Sequence, residues 1–171
     1  MFGNKKKKAE KAYRQGLEEL TENRALLAKI HFENAVELNP DVSIYWWHYG
    51  ECLLTLEQAG GVTMFTEKML REGRTVKKSL LPQAYKCYKT VQELDGPSFA
   101  ICERLGLITS QLEYYLDSIE YYKKAIEFLM LESPVDIEKL SGTSGNIGVA
   151  YAEILHTLAY TNNSEKILTE L

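Results

Sequence analysis

The sequence has only three cysteines and three histidines and no long apolar run, so it has little from which to build a disulfide framework, a metal site or a membrane span. Its three cysteines, Cys52, Cys87 and Cys102, are isolated and show no CxxC spacing. Single thiols of this kind are typical of a reducing compartment, where cysteine serves as a small apolar side chain. No apolar run approaches the roughly 18 residues of a membrane helix, and none follows the N-terminal lysines as a secretory signal would require. We therefore expect a cytoplasmic protein with no transmembrane segment.

The chain also has no surplus of positive charge, with 20 Lys or Arg against 24 Asp or Glu. The formal net charge is −4 and the isoelectric point is about 5.5, whereas nucleic-acid binders usually carry a basic surplus. The charge is uneven, because residues 97–171 contain five Lys or Arg against eleven Asp or Glu. The run Lys5–Lys8 predicts a solvated basic tail over residues 1–8, with contact to a phosphate or a membrane surface as the alternative. Nucleic acid is not expected as the main partner.

Three glycines recur with one period inside helical patterns. Gly16 and Gly50 lie 34 residues apart, and Gly106 follows Gly50 by the same 34 residues plus an insertion of 22. A mid-helix glycine costs about 0.8–1.0 kcal/mol relative to alanine, so its repetition indicates that a paired helix must approach closely. At matching offsets, once the 22-residue insertion is added for Gly50, each glycine is followed by a small residue, an aromatic residue and another small or β-branched residue: Ala28, Phe32 and Ala35; Ala84, Tyr88 and Val91; Ser118, Tyr122 and Ala125.

This pattern closely resembles the tetratricopeptide repeat (TPR), a 34-residue helix–turn–helix unit. The resemblance also includes Pro40 in the first unit, Trp46 and Leu53 in the second and Leu105 in the third. It departs from the family pattern at Ala12 and Cys102, which stand where a large aromatic residue is usual. The fold that it implies is all-α, a right-handed α-α superhelix of stacked TPR helix pairs with a C-terminal capping helix. No β-sheet is expected over residues 9–131.

The resemblance also implies a division of the chain. Three TPR-like units are expected over residues 9–131, at 9–42, at 43–98 and at 99–131. First helices are predicted at about 9–22, 42–58 and 98–111, and second helices at about 24–38, 80–95 and 114–131. Residues 132–171 are predicted to form capping helices or a degenerate fourth unit, with one helix from about Gly145 and another from about Ser164.

The insertion in the second unit covers about residues 59–80. Its segment TEKMLREG (66–73) predicts a helix of about two turns, since Thr66 can cap its start and Gly73 can end it. The insertion is basic, which indicates either a solvated segment on the surface or a docking element.

The adjacent tryptophans Trp46 and Trp47 raise the question of function, because neighbouring helix residues point about 100° apart. In TPR domains the first helices line a concave groove. The resemblance implies that Trp46 is a buried core residue and that Trp47 faces this groove as a ligand anchor. The alternative for Trp47 is that it covers apolar surface at a unit boundary or under the C-terminal helix. The candidate peptide-binding residues are Tyr13, Leu17, Trp47, His48, Glu51, Glu103, Arg104, Leu107 and Gln111.

Other chemistries are weakly supported. His48 and Cys52 have a metal-ligand spacing but no complementary pair. The glycine-rich segment SGTSGNIG (141–148) lacks the Lys-Ser/Thr of a phosphate-binding loop and reads as a flexible connection. No nucleophile, base and orienting group stand out together, so neither an enzyme nor a metal or cofactor is expected. Chaperone-binding TPR domains clamp a peptide carboxylate with Lys and Asn. The matching positions here hold Tyr13, Leu17, His48, Ala100 and Arg104, of which only Arg104 is preserved.

The sequence therefore predicts a protein–protein interaction adaptor or scaffold that binds a peptide or protein segment in the concave TPR groove. One alternative is a structural self-association module that forms a homo-oligomer. A second alternative is a nucleic-acid or acidic-surface binder that uses the basic N-terminus and the insertion.

Overall fold

The computed structural model describes residues 2–60, 62–64, 76–131 and 136–169, with side chains over 4–60, 78–131 and 136–156. The chain divides into two compact units, Met1–Gly96 and Pro97–Leu171. The first unit contains α1 (Phe2–Thr21), α2 (Ala25–Leu38), α3 (Ser43–Gln58), the strands β1 (Val62–Met64) and β2 (Val76–Lys78), and α4 (Leu81–Asp95). The second contains α5 (Phe99–Gln111), α6 (Tyr115–Met130) and α7 (Ile137–Thr169).

The helices pack as pairs, α1 with α2, α3 with α4, and α5 with α6. In each pair the glycine of the first helix lies under an aromatic ring of the second. A Cβ atom placed on Gly16, Gly50 or Gly106 would come within 3.0 Å of Phe32, Tyr88 or Tyr122, respectively. The predicted reason for the periodic glycines is therefore correct. The predicted bounds of these helices agree with the structure to within one residue, except that α1 begins at Phe2, seven residues before its predicted start.

Turn chemistry explains where the helices end. Asn23 and Glu113 have φ values of 57° and 64°, and each follows its motif glycine by seven residues in the sequence. The left-handed residue thus recurs at the same place in the first and third pairs. Gly96, with φ of 85°, ends α4, and the side chain of Ser98 then caps α5 by accepting a hydrogen bond from the backbone N–H of Ile101 at 3.4 Å.

Four side chains tie the first pair to the second. The hydroxyl of the buried Tyr45 on α3 donates a hydrogen bond to the Glu10 carboxylate on α1 at 2.8 Å. Tyr49, one turn later on α3, donates to the Glu33 carboxylate on α2 at 3.0 Å. Both tyrosine rings are buried, so each hydrogen bond satisfies a polar group at the end of an apolar ring.

The insertion corrects one expectation. Strands β1 and β2 form an antiparallel two-stranded ribbon in which Val62 pairs with Lys78 and Met64 with Val76, so residues 9–131 are not wholly helical. The helix predicted at 66–73 lies outside the described residues. The ribbon is confined to the insertion, and the Glu57 carboxylate at the end of α3 accepts a hydrogen bond from the backbone N–H of Leu80 at 2.7 Å. This hydrogen bond links the two sides of the insertion, the end of α3 and the residue just before α4.

Both termini differ from the sequence-based expectation. The run Lys5–Lys8, predicted as a solvated tail, belongs to α1, although all four side chains are exposed. The segment 141–148, predicted as a flexible connection, is helical, and α7 is one helix of 33 residues rather than two helices starting near 145 and 164. Thr143 and Ala150 on α7 are buried, and α7 packs on α6, so the expected packing of a C-terminal helix on the third pair is confirmed.

Candidate peptide-binding surface

Aromatic side chains join α1 to α3 at the centre of the candidate surface. The Tyr13 hydroxyl and His48 Nδ1 are 2.7 Å apart, and the two rings lie 5.6 Å apart between centroids. Tyr45 packs against the other side of Tyr13 at 4.6 Å. The ring of the buried Phe32 stacks on His48 at 6.2 Å. Tyr13 and His48 are each half-buried, so they support the junction between the two helix pairs and also present part of their surface to solvent.

The environment of this cluster sets its charge state. Burial lowers the pKa of His48, although the charge of Glu51 opposes this effect in part. Burial and the nearby Glu10 raise the pKa of Tyr13. Near neutral pH both side chains are therefore uncharged, and one hydrogen bond joins the tyrosine hydroxyl and the imidazole nitrogen. The centre of the surface is aromatic and polar rather than charged.

A second contact holds Trp47 in place. Its indole meets the ring of Tyr88 edge-on, with centroids 5.3 Å apart. Tyr88, on α4, is fully buried, and its hydroxyl donates a hydrogen bond to the Glu51 carboxylate on α3. Trp47 and Glu51 each remain partly exposed, as does Leu17 on α1. One buried tyrosine thus orients an aromatic side chain and a carboxylate on neighbouring turns of α3.

The expected role of Trp46 is wrong. Trp46 is half-buried rather than nearly fully buried, and its indole Nε1 donates to the carbonyl oxygen of Pro40 at 2.7 Å. The core positions of α3 are filled instead by Tyr45, which is 4% exposed, and Tyr49, which is 2% exposed. The physical reason is that an indole N–H needs a hydrogen-bond partner, and here it finds one in the turn before α3.

The remaining candidates lie on α5 in the second unit and form a separate set. Glu103, Arg104 and Leu107 are half-buried, whereas Gln111 is exposed. The Arg104 guanidinium lies 3.6 Å from the Glu103 carboxylate. This pair brings both signs of charge to the middle of α5.

The sequence matches no protein-family model and no curated protein. Solved structures do match over most of the chain. The Arabidopsis OM64 TPR domain is 12% identical with a TM-score of 0.60, and the match covers 85% of this chain and 96% of that chain. The fold is that of TPR domains.

Two other TPR structures have similar scores. The Yersinia enterocolitica type III secretion chaperone SycD, in complex with a peptide of the translocator YopD, is 12% identical with a TM-score of 0.61; the match covers 84% of this chain and 92% of that chain. The TPR2B domain of yeast Sti1, in its complex with pHsp70, is 14% identical with a TM-score of 0.60 over 85% of this chain and 98% of that chain. At these identities the likeness establishes the fold, and the binding surface has to be argued from this chain's own side chains.

Sequence reasoning missed the polar cluster that surrounds Tyr49 in the TPR core. Gln83 on α4 donates its side-chain N–H to the Tyr49 hydroxyl, and the Lys29 ammonium lies 3.1 Å from the Glu33 carboxylate. Burial alone would raise the pKa of Glu33, but the hydrogen bonds from Lys29 and Tyr49 outweigh it and the pKa is lowered. The sequence did contain a signal for this cluster: Tyr49 follows Tyr45 by one helical turn, and acidic residues occur on the preceding helix pair.

In the part of the chain that the structure describes, no group of three or more His, Cys, Asp or Glu side chains is placed to hold a metal ion. Cys52, one turn from His48, donates its thiol to the carbonyl oxygen of Ala25 at 3.3 Å. No helix among the described residues is long and apolar enough to cross a membrane.

Proposed function

We propose that this protein is a protein–protein interaction adaptor or scaffold that binds a peptide or protein segment on the face formed by its first helices. The observation that carries the proposal is the arrangement of Trp47, which stays partly exposed while the buried Tyr88 holds its ring and the neighbouring Glu51 carboxylate. A rigid, partly exposed aromatic side chain beside a fixed polar group is typical of binding hot spots.

The residues of α1 and α3 give this face a mixed character. Tyr13, Leu17 and Trp47 supply apolar area, and His48 and Glu51 supply hydrogen-bonding groups beside it. Such a surface favours an extended or helical segment with one apolar anchor. On α5, Leu107 supplies apolar area, and Glu103, Arg104 and Gln111 supply polar contacts that we assign to the same function.

The solved TPR neighbours support a peptide ligand, since SycD was crystallised with a peptide of YopD. The chain does not reproduce the Lys and Asn carboxylate clamp of chaperone-binding TPR domains, because Tyr13, Leu17, His48 and Ala100 occupy four of its five positions. We therefore expect an internal segment with an apolar anchor rather than a free C-terminus. Nothing in this arrangement calls for a catalytic role or a cofactor.

The test is to select ligands from a displayed random peptide library and to measure their affinities by fluorescence anisotropy. Burying one large side chain contributes about 1.5–3 kcal/mol, so affinities on the order of micromolar are expected. Trp47→Ala should weaken binding about tenfold or more, with little change in the melting temperature. Tyr114→Ala is the matched control, because it removes an exposed aromatic side chain from the other unit.

Arg104→Glu tests the α5 set separately. Weaker binding by this variant would show that α5 contacts the same ligand, because the substitution reverses one charge on that helix. If Trp47→Ala and Arg104→Glu both bind every selected peptide as tightly as the parent protein, the first helices do not form the binding face.

Self-association is a second candidate function, favoured by exposed apolar side chains on α2. Leu26, Leu27 and Ile30 are 57%, 45% and 59% exposed and lie within little more than one turn. A patch of this kind can bind a second copy of the chain. Sedimentation velocity at two protein concentrations, with Ile30→Glu for comparison, tests it: a concentration-dependent dimer that this variant abolishes would support self-association.

A further inference from the structure

A basic depression lies along α1 beside the proposed binding face, and its lining residue Tyr45 packs on Tyr13 of that face. It has a volume of about 710 Å³ and is bounded by α1, by Asn39 at the end of α2 and by Tyr45 at the start of α3. None of the nine residues proposed for the peptide-binding face lines it. It is therefore a separate surface feature, built entirely within the first unit.

The charge of the depression is opposite to that of the whole protein. Its lining contains the four cations Lys6, Lys7, Lys11 and Arg14 and the two acids Glu10 and Glu18, whereas the chain has a formal net charge of −4. A local positive field on an acidic protein attracts negatively charged ligands to one place.

The internal contacts leave the lysines available. Glu10 accepts hydrogen bonds from Tyr45 at 2.8 Å and from Arg14 at 2.8 Å, and these bonds lower the pKa of Glu10. Its charge is therefore compensated by Arg14. Lys7 and Lys11 are exposed, and neither forms an ion pair with an acid in the described part of the chain.

The spacing of the cations fits a polypeptide. Lys7, Lys11 and Arg14 stand at i, i+4 and i+7, so they follow one face of α1 at intervals of about 5–6 Å. Alternate side chains of an extended peptide are about 6.6 Å apart on one side. Two acids at every second position of an extended segment can therefore meet Lys7 and Lys11, whereas Arg14 already pairs with Glu10.

We propose that this depression is a second binding surface that takes an acidic, extended segment of a protein partner. Carboxylates spaced along a polypeptide suit it better than the dense phosphates of a nucleic acid, because Glu10 and Glu18 within the depression repel a continuous row of negative charge. Binding here is independent of Trp47, so the two surfaces can be occupied by two segments of one partner or by two partners.

The experiment uses the intact chain and a fluorescein-labelled synthetic peptide of alternating glutamate and serine, with the glutamine counterpart as the uncharged control. Binding is followed by fluorescence anisotropy at low and at moderate salt. We expect the glutamate peptide to bind, the glutamine peptide not to bind, and added salt to weaken the complex, because exposed charges are screened beyond about 10 Å at 0.1 M salt. Lys7→Glu combined with Lys11→Glu should weaken binding by about tenfold or more.

The matched control is Lys86→Glu combined with Lys124→Glu, which changes the net charge equally at two exposed lysines on other helices. Equal loss of binding in both double variants would mean that only the overall charge matters and would overturn the proposal. Loss of binding in Trp47→Ala would place the acidic peptide on the first-helix face instead and would also overturn it. Unchanged binding of the glutamate peptide by Trp47→Ala supports the proposal. It does not bear on the function proposed for the first-helix face, which has its own test.

Two further measurements exclude other occupants. A single-stranded oligonucleotide of the same charge is titrated in parallel; if it binds more tightly than the peptide and depends on Lys7 and Lys11, the surface is a phosphate site and the proposal fails. Sedimentation of the protein alone, in the same buffer, should show no association that depends on these lysines. Such an association would make the occupant a second copy of the chain.

Discussion

The ring of Phe32 covers Gly16 so closely that a Cβ atom on this glycine would stand 2.7 Å from the Cε1 atom of Phe32. The same relationship joins Gly50 to Tyr88 and Gly106 to Tyr122, where the nearest ring atoms would be 2.9 and 2.8 Å away. In each case the glycine and the ring belong to the two helices of one pair. The distance between paired helices is therefore set by the absence of a side chain.

Replacing one of these glycines with alanine should destabilise the protein even though alanine is the better helix former. We expect Gly16→Ala to lower the free energy of unfolding by about 1–3 kcal/mol, because the new methyl group overpacks a fully buried ring. Gly145→Ala is the control. A Cβ atom there would meet nothing within 4 Å, so this change should raise the free energy of unfolding by about 0.5–1 kcal/mol. Urea unfolding measures both, and equal effects of the two substitutions would contradict the explanation.

Trp46→Ala should have a moderate effect on stability. The half-buried indole contributes one hydrogen bond to Pro40, worth about 0.5–1.5 kcal/mol, and part of its apolar area. We expect a loss of about 1–2 kcal/mol, compared with about 3–5 kcal/mol for Phe32→Ala, which truncates a fully buried ring. Chemical denaturation of the two variants side by side tests the ranking. If Trp46→Ala lost more stability than Phe32→Ala, Trp46 would have to be counted as a core residue.

Stability should depend on pH through His48. Its folded pKa is lowered by burial, so the unfolded chain takes up this proton first as the pH falls. The contribution of neutral His48 is therefore complete above the ordinary value of 6.5 and is lost as the pH falls through the folded pKa. We expect the melting temperature to fall between about pH 7.5 and pH 5.5.

His48→Gln provides the comparison, since glutamine stays neutral over the whole range. The variant should show a flatter melting profile in this window. The pKa values of Glu10 and Glu33 are lowered from 4.5, so these acids titrate at more acidic pH and do not produce the effect. Identical slopes for the parent and the variant would assign the pH dependence to other groups.

The cysteines should react slowly in the folded protein. Burial raises the pKa of Cys52 to about 11 and that of Cys87 to about 12, from an ordinary value of 9.0. At pH 8 the thiolate fraction falls by about a hundredfold or more, and access is restricted as well. Iodoacetamide labelling with mass spectrometry should therefore modify both sites at least about a hundredfold faster in urea than in buffer. Rapid native labelling of either site would show that its helix opens readily.

The insertion should be removable. Val62 pairs with Lys78 across the ribbon, and paired residues of adjacent strands lie about 5 Å apart, so a short Gly-Ser linker can replace residues 61–78. Loop length has only a weak effect on closure entropy, and the contacts of Glu57 with Ser79 and Leu80 are retained. We expect the deletion variant to keep its helical circular dichroism and to unfold cooperatively. An unfolded product would make the insertion part of the core.

The predictable part of the fold was the part encoded by local spacing. The offsets from Gly16 to Phe32 and from Gly106 to Tyr122 fixed the helix pairs, because a glycine and a ring must meet at fixed positions on two helices. The continuity of α7 was not predictable from its sequence, since Gly142, Gly145 and Gly148 each oppose a helix. Burial of Thr143 and Ala150 accompanies the helical state there, and such tertiary contacts leave no local signal.

The candidate site was predictable only in outline. The family pattern correctly placed Trp47 on a partly exposed face, but it could not show that Tyr88 would hold the indole or that Tyr13 would bond to His48. Trp46 was misassigned because the pattern counts positions and does not consider where an indole N–H finds an acceptor. The contacts of Tyr88 with Trp47 and of Tyr13 with His48 join helices that lie far apart in sequence, whereas the contact of Trp46 with Pro40 is local to the turn before α3.

The two tyrosines of α3 have a consequence for how the first two helix pairs are oriented. Apolar contacts between helices are non-directional and allow one pair to rotate on the other, whereas a hydrogen bond from Tyr45 to Glu10 and another from Tyr49 to Glu33 fix two points of that rotation. A shorter aspartate at either position could keep its tyrosine hydrogen bond only if α3 moved towards the preceding pair, so the length of each glutamate matches the present angle between the two pairs.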